Sequence, residues 1–264
     1  MFDQVDWTRR WYDSVRPAFG RADFEALGLT GALNAGAATL ALANCHGKAI
    51  RFVPQAELPE GRAYEQFIGA TGRVPTRENL HDFFNGLVWL TFPRIKLQLN
   101  ALQAAQIAQA GVGKARGPAR DGATIFDENC ALLVVREGEE GRALVGALRA
   151  HRWTEALHQR RALFGPAAQV WLFGHALMEK LVAPRKAITA HTLVVMAGPE
   201  YFGLDHDAQR AWIDQHVAAR LASEGLSTAS FMPLPVLGVP DWWEGQDQAF
   251  YADVAVFRPK RATQ

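Results

Sequence analysis

Residues 76–94, "TRENLHDFFNGLVWLTFPR", constrain this chain more than any other stretch. Phe83, Phe84, Leu87, Val88 and Leu90 cover most of a helix built on this sequence. A helix that is apolar nearly all round belongs inside a protein, so other elements must wrap it. Thr76 is the predicted N-cap. The helix must end near Phe92, because the residue before Pro93 is pushed out of the α region. Pro93 then suits the first turn of a second helix, which runs to about Ala110 and is stopped by Gly111 and Gly113. His81, Asn85 and Trp89 share a face at i, i+4 spacing, with Asp82 about 100° round from His81. Once buried, His81 and Asp82 need partners from outside the helix, whether hydrogen bonds, an ion pair or a metal. Arg77 and Arg94 are the arginines at hand for Asp82. The other expected contacts come from residues 116–129 or from His175 to Glu179.

The rest of the chain alternates more. "TGALNAGAATLALANC" (30–45) reads as a helix and "AIRFVPQ" (49–55) as a short strand, and helix signals then run from Tyr64 to Ala110. Gly111 to Gly117 reads as a mobile surface loop. "CALLVV" (130–135), "AQVWLF" (168–173) and "ITAHTLVVM" (188–196) read as strands, and "VAVF" (254–257) as a short terminal one. Helices are expected over "GRALVGALRA", "RWTEALHQRRALF", "HALMEKLV" and "HDAQRAWIDQHVAARLASEG". The expected fold is α/β or α+β, with a helical N-terminal half packed on a small mixed sheet built from the C-terminal half. It reads as a single domain over 1–264, helix-rich over 1–120 and strand–helix–strand over 121–264.

Bulk properties exclude several classes of function. A chain of 264 residues with 49% hydrophobic and 21% charged residues is an ordinary globular sequence, not a disordered one. A formal net charge of +1 gives no strong nucleic-acid signal and no pull to an acidic membrane. Cys45 and Cys130 are too few for a disulfide framework or a thiolate zinc cage. The N-terminus lacks the apolar core of a signal peptide, and no apolar run approaches the ~18 residues of a bilayer span. The expectation is a cytoplasmic protein. The sequence says nothing of oligomeric state.

Several constellations suit chemistry. His175 and Glu179, at i, i+4 after a strand and a glycine turn, suit two metal ligands or a carboxylate orienting an imidazole. Asp121, Asp127 and Glu128 lie against the start of an expected core strand, where carboxylates hold hard cations or act as bases. His191 is a strand histidine that could join them. The expected catalytic set is His81, Asp82, Asp121, His175 and Glu179. The expected metal set is His81, Asp82, Asp127, Glu128, His175 and His191, which suits Mg²⁺, Mn²⁺ or Zn²⁺. Arg94, Lys96, Arg116 and Arg120 are expected to meet an anionic substrate group, with Trp242 and Trp243 as a lid. Each motif also has a structural reading. Asp82 could pair with Arg77, Lys96 could sit on a solvated helix face, and His175 could bond Glu179 for packing alone. The adjacent His81–Asp82 pair is similar to the metal pair of HD phosphohydrolases, without an outer His and Asp at that family's spacing. No nucleophile elbow, dinucleotide glycine triplet or paired C-x-x-C is present.

Four stretches carry a family resemblance: "VPTRENLHDFFNGLVWLTFPRIKLQLNALQ", "RGPARDGATIFDEN", "FGHALMEKLVAP" with "TAH", and "LPVLGVPDWW" with "FYADVAVFRP". They span about residues 62 to 259 and resemble the proteobacterial domain-of-unknown-function family 3025. The resemblance implies that the four stretches belong to one bacterial, full-length domain. It implies no activity and carries no catalytic residue across. The leading functional expectation from the residues is an enzyme with a buried His/Asp/Glu site that performs metal-assisted hydrolysis of a small anionic substrate. A metal-free small-anion binding protein or non-hydrolytic enzyme, and a scaffold or partner-binding protein, are the alternatives. The first requires at least three of His81, Asp82, Asp121, Asp127, Glu128, His175, Glu179 and His191 to converge within about 5 Å of one point.

Overall fold

The computed structural model describes residues 1–110 and 118–260. Two helices open the chain, α1 (Arg16–Gly20) and α2 (Phe24–Thr39). Strand β1 (Arg51–Pro54), helix α3 (Tyr64–Thr71) and strand β2 (Arg73–Thr76) follow, and β1 and β2 pair in parallel. Then come α4 (Leu80–Thr91), α5 (Pro93–Ala110) and α6 (Pro118–Asn129), which leads directly into β3 (Cys130–Arg136). The remainder is α7 (Glu139–Arg149), β4 (Ala168–Leu172), α8 (His175–Lys180), β5 (Thr189–Ala197), α9 (His206–Glu224), β6 (Met232–Pro235) and α10 (Gln248–Tyr251).

The main sheet has the order β4-β3-β5-β6, with β3 and β5 parallel and both outer pairings antiparallel. Strand β3 is buried on both faces, which explains its unbroken apolar run. Alternate residues serve different cores. Leu132 and Val134 join the large cluster formed with α4, α5 and α9, while Leu133 and Val135 pack with Leu144 and Leu148 of α7 and with the C-terminal segment around Tyr251 and Phe257. The fold is α+β, with the helical N-terminal half laid on one face of a mixed C-terminal sheet. Among the described residues, no helix is long and apolar enough to cross a membrane.

The central helix α4 behaves as its sequence demands. Every residue from Asp82 to Thr91 is buried. It ends at Phe92, and α5 starts at Pro93. Phe92 has no side-chain acceptor for the free N–H groups of α5, and Asp214 of α9 supplies them, accepting from Arg94 N at 3.1 Å and Ile95 N at 2.9 Å. Asp214 thus docks α9 on α5.

Some expectations fail. The N-cap of α4 is Asn79, which accepts from Asp82 N at 2.8 Å; Thr76 instead closes β2. Strand β2 interrupts the expected helical run because Gly72, at φ +74°, turns the chain after α3 and lets it pair with β1. Residues 40–45 lie beyond α2. The segment "RWTEALHQRRALF" winds as a π-helical turn and a 3-10 turn. "VAVF" forms turns instead of a strand, and the terminal pairing falls to β6 despite Pro233 and Pro235, which sit on a sheet edge. Asp121, Asp127 and Glu128, expected against the start of a strand, lie on the helix α6 that leads into β3. The loop expected at Gly111 to Gly117 lies outside the described residues.

Candidate metal centre

Three chain segments meet at the end of the sheet where β3 begins and β4 stops. Phe173 N and Gly174 N both donate to Cys130 O, at 3.1 and 2.8 Å. This clamp sets α8 immediately beside the last turn of α6. Gly174 is required there, because a Cβ would fall 2.4 Å from Cys130 N and 2.6 Å from Asn129 N. The first turn of α4 faces the same point. His81 comes from α4, Asp127 and Glu128 from α6, and His175 and Glu179 from α8.

The two imidazoles stand edge to face, with centroids 4.5 Å apart and Nε2 atoms 3.1 Å apart. Glu128 Oε2 lies 4.0 Å from His81 Nε2 and 3.6 Å from His175 Nε2. Those three separations form a triangle whose circumcentre is about 2.1 Å from each atom, the bond length of Zn²⁺ to imidazole nitrogen or carboxylate oxygen. One ion could therefore touch all three donors, with positions off their plane left for water or substrate. Among the described residues, His81, Glu128 and His175 form the group of potential ligands whose donor atoms lie within 4.8 Å of one another.

The surroundings prepare these donors. Glu179 Oε2 lies 3.0 Å from His81 Nδ1. A His81 tautomer with its proton on Nδ1 donates to that carboxylate and leaves Nε2 as the acceptor that a metal needs. Burial pushes the His175 imidazolium down to about 4 against the pull of Asp127, so this ring is neutral at pH 7. His175 Nδ1 faces Asp127 Oδ2 at 3.9 Å, beyond hydrogen-bond reach. Burial alone would raise the Asp127 carboxyl, but Lys96, followed by His175, overrides it and holds it below the ordinary value. Lys96 Nζ donates to Asp127 Oδ1 at 2.6 Å and to Asn85 Oδ1 at 2.9 Å. Burial, and then the charge of Asp127, raises the Glu128 carboxyl. A cation between the imidazoles would relieve that repulsion.

These groups open into a pocket of about 280 Å³ whose walls include Tyr64, Glu65, Arg77 and Asp82. Four carboxylates (Glu65, Asp82, Asp127 and Glu128) line it, with Glu179 behind His81, against two cations, Arg77 in the wall and Lys96 behind Asp127. Both cations are spent, Lys96 on Asp127 and Arg77 on Asp82. Burial raises the Glu65 carboxyl, whose Oε2 accepts from Asn100 Nδ2 at 2.6 Å.

The structure separates the other expected residues from this point. Asp82 accepts three bonds from Arg77, from its N at 2.6 Å, Nε at 3.0 Å and Nη2 at 3.1 Å, so both carboxylate oxygens are committed to an ion pair. His191 is exposed on β5 and meets Asn129 at 3.1 Å. Asp121 lies in the first turn of α6, two turns from Glu128. Arg94 is exposed. Lys96 is buried, not on a solvated face. Trp242 lines a different cleft, and Trp243 packs against the large core. Arg116 and the side chain of Arg120 lie outside the described residues. Tyr64, Glu65 and Arg77 were not singled out as pocket residues, and only the polar–apolar mix of "YEQFIGAT" signalled that α3 carries a wall of the site.

A family model described as "Protein of unknown function (DUF3025)" matches residues 50–261. The chain belongs to this family. The match takes in α4, α6 and α8, and so all the DUF3025 residues that converge here. No curated protein and no solved structure matches the chain.

Proposed function

We propose that this DUF3025 protein is a metal-dependent enzyme in which His81, His175 and Glu128 hold one divalent ion, Zn²⁺ or Mn²⁺, and that the ion activates water for hydrolysis of a small substrate. The observation that carries this reading is the convergence of the three donor atoms around a point about 2.1 Å from each, a first-row metal's bond length. Two imidazoles and one carboxylate are a ligand set that leaves open coordination positions. A metal there polarises a substrate oxygen and lowers the pKa of its bound water. Glu65 is the pocket carboxylate with no ion pair and no histidine among the described residues, which suits it to take the proton from that water. The surplus of carboxylates disfavours the metal-free anion-binding alternative, since an anion would enter a negative pocket with nothing to neutralise it. The donors come from residues 81 to 175, on both sides of the sequence midpoint, so residues 1–264 would act as one domain.

The test is the metal content of protein purified without chelator. One Zn²⁺ or Mn²⁺ per chain is expected, falling below a tenth of that in His175→Ala. Metal-free wild-type protein that also fails to take up either ion on dialysis would reject the reading.

A further inference from the structure

A second cleft, of about 260 Å³, lies where the N-terminal segment, the start of β4, the start of α9 and the segment after β6 come together. Its lining shares no residue with the candidate metal pocket. One wall is the Trp171 indole with the His206 imidazole stacked on it, centroids 4.6 Å apart and planes 30° apart. The half-buried indole of Trp242 forms another part of the lining. Flat π-surfaces of this kind favour a planar ring.

Between these walls the hydrogen-bonding groups are uncharged. Gln169 Oε1 is fixed by Tyr201 Oη at 2.9 Å and Trp171 Nε1 at 3.3 Å, which sets the amide orientation. Its Nε2 has only a marginal 3.5 Å contact to Gly165 O, so an N–H donor remains available. Gln209 spends its Nε2 on Tyr201 O at 3.2 Å, which leaves its carbonyl oxygen as acceptor. Ser14 is 3% exposed, and its Oγ has no partner among the described residues. A buried hydroxyl without a partner is costly and calls for an explanation. The charges at the rim are already paired. Asp241 meets Arg161 at 3.0 Å and Arg10 at 3.9 Å, and Asp13 meets Arg16 at 2.7 Å. No unpaired charge is left to select an ion.

We infer that this cleft binds an uncharged planar heteroaromatic ring carrying a donor and an acceptor on one edge, as a nucleobase or an aromatic carboxamide does. The ring lies between the Trp171–His206 stack and Trp242, its acceptor takes the Gln169 N–H, its donor meets the Gln209 carbonyl, and Ser14 Oγ gains the partner it lacks. Burial lowers the His206 imidazolium against the pull of Asp207 and Asp13.

Calorimetric titration of the full chain with uridine, adenosine and nicotinamide tests this. At least one should bind with Kd below about 1 mM. Ser14→Ala should weaken that ligand about five- to tenfold, as loss of one buried hydrogen bond does. The same variant should melt no lower than wild type, because the hydroxyl it removes has no partner in the free protein. Trp242→Ala should weaken binding as well. His175→Ala should bind as wild type does, which separates this cleft from the metal site. Absence of binding by all three probes, or unchanged binding in both Ser14→Ala and Trp242→Ala, would overturn the inference.

Discussion

Glu179 Oε2 stands 3.0 Å from His81 Nδ1, so a carboxylate on α8 orients an imidazole on α4. The contact joins residues 98 positions apart and turns His81 Nε2 toward His175 and Glu128. Outer partners of this kind typically change metal affinity 10–100-fold. Glu179→Gln should therefore weaken Zn²⁺ or Mn²⁺ binding by roughly that factor, with a melting curve close to wild type. Equal affinities in a competition titration against a chelator would show that Glu179 does not orient a ligand.

Lys96 and Asp127 form a pair at 2.6 Å with side chains only 5% and 12% exposed. Removing one member leaves a buried charge uncompensated, at about 3–5 kcal/mol. Lys96→Met should lose that much in urea unfolding. Lys96→Met with Asp127→Leu should recover most of it. If Lys96→Met costs under about 1 kcal/mol, the pair behaves as a solvated one.

Asp82 presents a different case. Arg77 is 56% exposed, so its guanidinium returns to water when Asp82 is removed. Asp82→Ala should cost roughly 1–3 kcal/mol, mostly from lost hydrogen bonds to Arg77, and should leave metal content unchanged. Loss of metal without loss of stability would move Asp82 from the ion pair into the site.

Asp214 supplies a pH dependence. Burial raises its carboxyl to about 6, outweighing the two backbone N–H groups of α5 that favour its charge. The folded state therefore holds this proton more tightly than the unfolded chain does. The resulting stability is fully present below about pH 4, and it is lost as pH rises through about 6. The difference between about 6 in the folded protein and an ordinary aspartate carboxyl corresponds to about 3 kcal/mol. Asp214→Asn should lack this component, so wild type should lose about that much relative to the variant between pH 4 and pH 7. Parallel stability curves for the two proteins would contradict the assignment.

The sequence makes the frame of this site readable where local chemistry decides. The apolar wrap of α4, the break at Phe92–Pro93 and the run of β3 follow from periodicity and proline geometry. His81, His175 and Glu179 stand out because polar groups on buried helices need partners. What stays hidden is decided by tertiary packing. The i, i+4 rule pairs Glu179 with His175, yet the packing of α8 against α4 sends it to His81. Glu128 reads only as lying against the start of a strand, and it is the docking of α6 against β3 and α8 that aims it at the two imidazoles. Lys96 reads as solvated because one amphipathic face looks like another until Asp127 is brought beneath it. Strand β2 escapes notice because four residues with a proline show no periodicity of their own.

The most direct measurement is anomalous diffraction at the Zn²⁺ or Mn²⁺ absorption edge from crystals grown with that ion. The account predicts one strong peak about 2.1 Å from His81 Nε2, His175 Nε2 and Glu128 Oε2. An ordered His81–His175–Glu128 triangle with no peak, or a peak elsewhere in the molecule, would contradict it.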